Sequence, residues 1–260
     1  MPNGGRILEQ LGLYETVERL IEPMHVFHVR FPDGFQFSNP YPKAINEVFG
    51  FPMAFLERQQ LLQILYQSFP RRSDIHEGKT VIRVDQGDDG VMVYTKDGST
   101  YHGDLVVGAD GVHSCVRAQM WHAADMLCPG MHIEYACIFG TSSAVPELKE
   151  GHLYLSVYDG KSLILAPGIK GRLSWFIVLK LGKRYRYGSA PRFSTAEATA
   201  CCEKLTGLYI WKDIKFKQVW QNREAFAMTP LEENIFQNWH CRRVVCIGDS
   251  MHKVRFVSMK

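Results

Sequence analysis

Apolar residues recur at helical spacing near the start of the chain. Ile7, Leu8, Leu11 and Leu13, then Val17, Leu20 and Ile21, form one stripe that Pro23 ends. Residues 25 to 56 alternate extended and turn signals: His25 to Phe31, the turn Pro32-Asp-Gly34, Phe35 to Phe37, then prolines. That predicts a hairpin, with Pro52 to Leu56 returning towards a sheet. Glu57 opens a predicted helix whose apolar face is Leu61, Leu62, Leu65 and Phe69. From Lys79 the period drops to two: Lys79 to Asp85, Val91 to Lys96, and Thr100 running on to Leu105, separated by the turns Asp88-Asp-Gly90 and Asp97-Gly98.

A β-rich stretch follows, with strands predicted at His132 to Phe139, His152 to Tyr158, Leu163 to Ala166 and Leu173 to Leu181. Short turns between consecutive strands predict an antiparallel sheet. Ser194-Thr-Ala-Glu197 reads as a capping box for a helix towards Leu205. Lys215 to Met228 reads as one more strand returning to Val244.

Two short runs break the alternation. Leu105-Val-Val107 and Val244 to Ile247 are continuously apolar, the pattern of parallel strands buried on both faces. Each delivers glycine and aspartate into a tight turn: Gly108, Asp110 and Gly111 in one, Gly248 and Asp249 in the other. Open α/β sheets bind ligands just beyond the carboxyl ends of such strands, and glycine lets backbone approach a ligand closely. Together they predict one nucleotide-binding sheet interrupted by a long insertion. The local pattern alone also fits a strand–turn–helix corner with a solvated aspartate.

Here the sequence resembles a known family. Gly108-Ala-Asp-Gly111 with Ser114 and Arg117, and Ile247-Gly-Asp-Ser-Met-His-Lys253, look like the two internal fingerprints of FAD-dependent monooxygenases of the aromatic-hydroxylase type. Phe55-Leu-Glu-Arg58, Glu134-Tyr-Ala-Cys-Ile-Phe-Gly140 and Tyr158-Asp-Gly160 are similar to the fungal branch that epoxidises prenyl chains in meroterpenoid and indole-diterpene pathways. The resemblance covers nearly all of the chain up to Lys253.

It implies an α/β (α+β) fold: a Rossmann-like FAD/NAD(P)-binding domain with an inserted antiparallel substrate sheet. The expected division is residues 1–122 and 229–260 for the FAD-binding part and 132–228 for the substrate sheet. The implied reaction uses FAD, reduced nicotinamide (NAD(P)H) and O2 to epoxidise or hydroxylate a hydrophobic, prenylated or aromatic secondary metabolite. Two departures bear on this. No G-x-G-x-x-G unit occurs anywhere in the sequence, and the resemblance aligns Met1 with a point after it. At the far end Val254 to Lys260 stands where the family continues with a Pro- and Gly-rich helix start, and a short deletion is expected within residues 123 to 131. The chain therefore reads as truncated at both ends, and the second reading is a non-catalytic remnant or mispredicted gene product unable to hold FAD.

Composition narrows the field. A net charge of +3 and the absence of long Lys/Arg runs argue against nucleic acid. Seven cysteines, none in a CxxC pair, and no signal peptide point to reduced thiols in the cytoplasm. No apolar run approaches the ~20 residues of a membrane helix, although full-length relatives of this type can be membrane-associated. Clustered Cys/His ligands, an HExxH helix, a G-x-S-x-G elbow and a Walker loop are all missing from the sequence.

The candidate site residues each carry two readings. The resemblance places Asp249, with Gly248, on the ribose hydroxyls of FAD; the plainer reading is a turn or helix-capping aspartate. Asp110 and Gly111 match the motif that supports the FAD pyrophosphate and the nicotinamide donor. Arg58 lies in the first turn of its helix, where a cation calls for an anionic partner; the resemblance makes that partner FAD, and the alternative is a solvated arginine. Tyr158 matches an active-site tyrosine at a strand end, or is a core tyrosine. No metal site is expected, and His252 reads as packing or a surface turn rather than a base.

Overall fold

The computed structural model describes residues 2–124, 131–186 and 189–253. The connection expected at 123 to 131 lies mostly, and the stretch from Val254 wholly, outside them. The chain forms two compact units: residues 1–72, 135–181 and 192–229 in the first, and 73–134, 182–191 and 230–260 in the second. The expected division placed 1–72 with the nucleotide-binding part. The difference has one cause. Strand Val26–Arg30 pairs in parallel with His152–Tyr158, Val29 opposite Leu155, so the early hairpin joins the central sheet. A parallel partner so distant in sequence leaves no local signal, because nothing short connects the two strands.

In the first unit the strands Leu173–Arg186, Lys161–Pro167, His152–Tyr158, Val26–Arg30 and Gln36–Asn39 lie side by side in that order. Their successive sequence neighbours pair antiparallel, with Tyr154 opposite Leu165 and Trp175 opposite the same residue. Alternation along the pleat sorts side chains to two faces. On one face Tyr154, Leu165, Trp175 and Ile177 are packed with Cys202, Leu205, Phe216 and Trp220. On the other Leu153 and Ala166 pack with Met24, Phe27, Met53 and Ile164.

The helix predicted from the capping box is Thr195–Leu205, and both reciprocal Ser194–Glu197 bonds are present. The strand predicted from Lys215 is instead helix Phe216–Gln221 followed by strand Arg223–Ile235. Phe216, Val219 and Trp220 stand at i, i+3 and i+4 and are all buried, a helical stripe that the neighbouring lysines masked.

Other helices shift modestly. The first apolar stripe is two helices, Pro2–Gln10 and Tyr14–Glu18, broken where Gly12 takes a φ of 70°. Helix Tyr41–Phe49, absent from the sequence reading, has proline in its first turn and ends at Gly50 with a φ of 74°. Helix Arg58–Ser68 forms as expected, but it buries Ile64, while Leu62, Leu65 and Phe69 are exposed.

The second unit holds the predicted meander, Val81–Gln86, Val91–Thr95 and Thr100–Gly103, as a sheet of its own. The chain then breaks at Asp104 rather than running on, and Val106–Gly108 enters a different three-stranded sheet with Val244–Cys246 and His240–Cys241. Val84, Val91, Val116, Met120, Trp121, Phe236, Val244 and Cys246 form the core here, beneath helix Cys115–Ala123. The parallel runs are not buried on both faces. Leu105, Val107 and Ile247 are 57%, 52% and 47% exposed, because among the described residues only one side of this sheet is covered.

Candidate cofactor-binding turns

The two Gly-Asp turns lie next to each other in the second unit because their strands pair in parallel. Val244 sits opposite Val106 and Cys246 opposite Gly108, and the Ile247 N–H extends the ladder to the Gly108 carbonyl at 2.9 Å. Gly108 is where strand, helix and partner strand meet. A Cβ there would stand 2.8 Å from the Val116 Cβ and 2.9 Å from the Cys246 Sγ, so only glycine fits.

Asp110 caps the helix that follows. Its Oδ2 accepts from the main-chain N–H groups of Cys115 at 2.8 Å and Val116 at 3.1 Å, and its Oδ1 accepts from the Ser114 hydroxyl at 2.5 Å. Ser114 Oγ in turn accepts from the Arg117 N–H at 2.9 Å. A carboxylate at a helix N-terminus satisfies orphan donors and complements the helix dipole. Asp110 is thus occupied by its own helix.

The residue that joins the turns is Arg117. Its side chain is 4% exposed and donates to the Ser250 carbonyl at 2.5 Å and the Val112 carbonyl at 2.8 Å, over the rings of Phe236 and Trp121. Ser250 is fully buried, with Oγ 2.9 Å from the Gly108 carbonyl and 2.7 Å from the Ile247 carbonyl. Arg117 and Ser250 both stand in the sequence motifs. Their signal as clamps, polar residues inside apolar surroundings, becomes legible only once burial is known.

Gly111 and Gly248 take φ of 78° and 63°, and a side chain at either would meet nothing within 4 Å. Both turns therefore present bare backbone to open space. Asp249 is exposed beside Gly248, its Oδ2 accepting from Lys253 Nζ at 2.6 Å. Exposed carboxylate, bare glycines and parallel strand ends fit a ribose–pyrophosphate ligand.

Two candidates lie in the first unit. Arg58 is exposed at the start of its helix, and it forms no ion pair with the described residues; the neighbouring Glu57 pairs with Arg172 instead. Tyr158 donates its phenol hydrogen to the Tyr209 carbonyl at 2.7 Å, and its own phenol oxygen accepts from Arg30 Nη1 at 3.5 Å. It shares a face with Tyr154 and packs against the core there. Burial pushes the Tyr158 pKa up, and the Arg30 charge pulls against that. Among the described residues no group of three or more Cys, His, Asp or Glu is placed to hold a metal ion.

Residues 6–257 match the family described as FAD binding domain. The FAD-dependent monooxygenase cle3 of Aspergillus versicolor is 47% identical over 265 residues, covering 98% of this chain and 54% of the relative. The FAD-dependent monooxygenase cdmI of Talaromyces verruculosus is 48% identical over 261 residues, covering 97% and 54%. The chain spans about half the length of the curated relatives it matches. Among solved structures, a Klebsiella pneumoniae HpxO variant complexed with FAD superposes with a TM-score of 0.79 at 24% identity, over 97% of this chain and 64% of that one. A fold with paired Gly-Asp strand ends, a family match along almost its whole length and relatives at nearly half identity lead to one assignment: the chain belongs to the FAD binding domain family.

Proposed function

We propose that this chain serves an FAD-dependent monooxygenase that uses reduced nicotinamide and O2 to epoxidise or hydroxylate a hydrophobic, prenylated or aromatic secondary metabolite. The observation that carries the reading is the parallel pairing that sets Gly108–Gly111 beside Gly248–Asp249. Relatives at 46–48% identity named as FAD-dependent monooxygenases, from Aspergillus and Talaromyces, support the reaction class.

FAD, when bound, supplies the redox and oxygen chemistry. The chain's own part is placement. Asp249 accepts from ribose hydroxyls, giving up or sharing its Lys253 contact, and the bare backbone at Gly111 and Gly248 lets the pyrophosphate approach. Arg58 offers its guanidinium to a phosphate. Asp110 acts through the helix it caps, holding the Gly111 turn in shape. Tyr158, at the end of its strand and bonded to the Tyr209 carbonyl, is the phenol that orients a substrate or flavin oxygen. The six free cysteines described suit a reducing, cytoplasmic setting.

Flavin titration by fluorescence tests the assignment. Asp249→Ala should weaken FAD binding by about tenfold or more, since a charge-assisted contact contributes about 1.5–3 kcal/mol. Equal affinity in Asp249→Ala and the unaltered protein would remove the carboxylate from the ribose.

A further inference from the structure

A second polar site lies wholly within the first unit. A cavity of about 580 Å3 opens between the early hairpin, the start of strand His152–Tyr158 and the hairpin of Tyr209–Trp211 with Ile214–Lys215. None of the residues assigned to the flavin lines it, nor does Tyr158.

Its floor is a stack of rings. His28 stacks on Tyr154 with centroids 4.7 Å apart and meets Trp211 at 4.5 Å. Both ring nitrogens of His28 are engaged: Nδ1 is 2.7 Å from Ser38 Oγ, and Nε2 is 2.7 Å from His152 Nδ1. Along this relay one ring nitrogen, His152 Nε2, has no partner among the described residues. If Ser38 donates to His28, then His28 donates to His152, and the free Nε2 carries a hydrogen.

Two ammonium groups, Lys149 and Lys212, and two carboxylates, Glu147 and Asp213, line the cavity. Burial first, and then the neighbouring His152, Lys212 and Lys149, hold the His28 pKa down at about 4. His152 is likewise lowered by burial, then by Lys149 and His25. Of these charges it is the lysines that act on the imidazoles: Lys149 on both and Lys212 on His28. Two imidazoles held towards their neutral form therefore line the cavity beside two lysines.

The rim is fixed rather than loose. Lys212 occupies left-handed backbone at φ 49°, and its N–H donates to Gln36 Oε1 at 3.1 Å, tying the hairpin to the neighbouring strand. Backbone strain of this kind persists where surrounding contacts over-determine it.

We propose that this cavity binds a small planar organic anion, an aromatic carboxylate being its simplest member, with the ring against Trp211 and the carboxylate shared by His152 Nε2, Lys149 and Lys212. The volume lies within the range of small-molecule sites, about 300–1,000 Å3. Flat aromatic walls with a few convergent donors are what such a ligand requires, and a neutral analogue would forgo the charge-assisted bonds.

Benzoate is the probe, with benzamide as its neutral counterpart. Ligand-observed NMR on the purified protein should show benzoate binding with a dissociation constant on the order of 1 mM, and benzamide at least about tenfold weaker. The double substitution Lys149→Gln with Lys212→Gln alters two exposed side chains and should keep the native circular dichroism. It should weaken benzoate about ninefold, with roughly threefold expected from each charge. The proposal is overturned if benzoate shows no binding at about 10 mM, if benzamide binds equally well, or if the double variant loses less than about threefold. Binding at another site, the flavin turns included, would give that last result and leave the flavin assignment untouched.

Discussion

The two units use similar apolar writing to different ends. In the first, strand His152–Tyr158 buries Leu153, Tyr154 and Leu155 in succession, with packed side chains on both faces of the sheet. In the second, the parallel pair Val106–Gly108 and Val244–Cys246 buries Val244 and Cys246 but leaves Leu105, Val107 and Ile247 exposed. A run of valines and leucines records that a strand can be buried. It does not record whether anything covers it. Stability should therefore follow coverage, and function should follow the uncovered strand ends.

The largest effect should come from Trp175. Its ring is 1% exposed, meets Phe216 edge-on at 5.5 Å and donates Nε1–H to Ser142 Oγ at 2.8 Å. Trp175→Ala should cost about 3–5 kcal/mol, read as a lowered urea midpoint. A loss below about 1 kcal/mol would mean that the first unit's core is not close-packed.

Arg117 should come next. Arg117→Met keeps much of the side chain's bulk but leaves the Ser250 and Val112 carbonyls without their donors. The expected loss is about 2–4 kcal/mol in thermal or urea unfolding. Weaker FAD binding should accompany it, because the clamp aligns the two turns. Unchanged stability would show that water replaces the guanidinium.

A pH series sharpens the comparison on the first unit's side. His28 is held at about 4 in the folded protein against an ordinary 6.5, so the unfolded chain takes up its proton first. This contribution is fully present above about pH 6.5 and is lost as pH falls towards 4. Urea midpoints between pH 7.5 and 4 should fall more steeply for the unaltered protein than for His28→Gln. Parallel curves would show that His28 is not held neutral.

Val107→Thr should have the smallest effect. The side chain is 52% exposed, and the change should stay within about 0.5 kcal/mol. A loss of 2 kcal/mol or more, comparable to a core truncation, would mean that this face is covered in solution.

Much of this was legible in the sequence. The paired Gly-Asp turns, the capping box at Ser194 and the strand His152–Tyr158 rest on short-range signals, and each formed where expected. What escaped was long-range. The parallel partnership of Val26–Arg30 with His152–Tyr158 has no local mark in the sequence. The helix at Phe216 was hidden by interleaved lysines that fit an alternating strand equally well. At the site, residue types were readable but hydrogen-bond partners were not. Asp110 caps its own helix and Tyr158 donates to Tyr209, and both facts depend on atoms brought together by folding.

The most direct measurement is backbone amide NMR of the isotopically labelled protein during titration with FAD, which detects binding even at millimolar affinity. The account predicts shifts concentrated at Gly108 to Val112 and at Ile247 to Ser250, moving together along one saturation curve. An absence of shifts up to about 5 mM FAD, or shifts centred away from both turns, would contradict the claim that these paired strand ends form an FAD site.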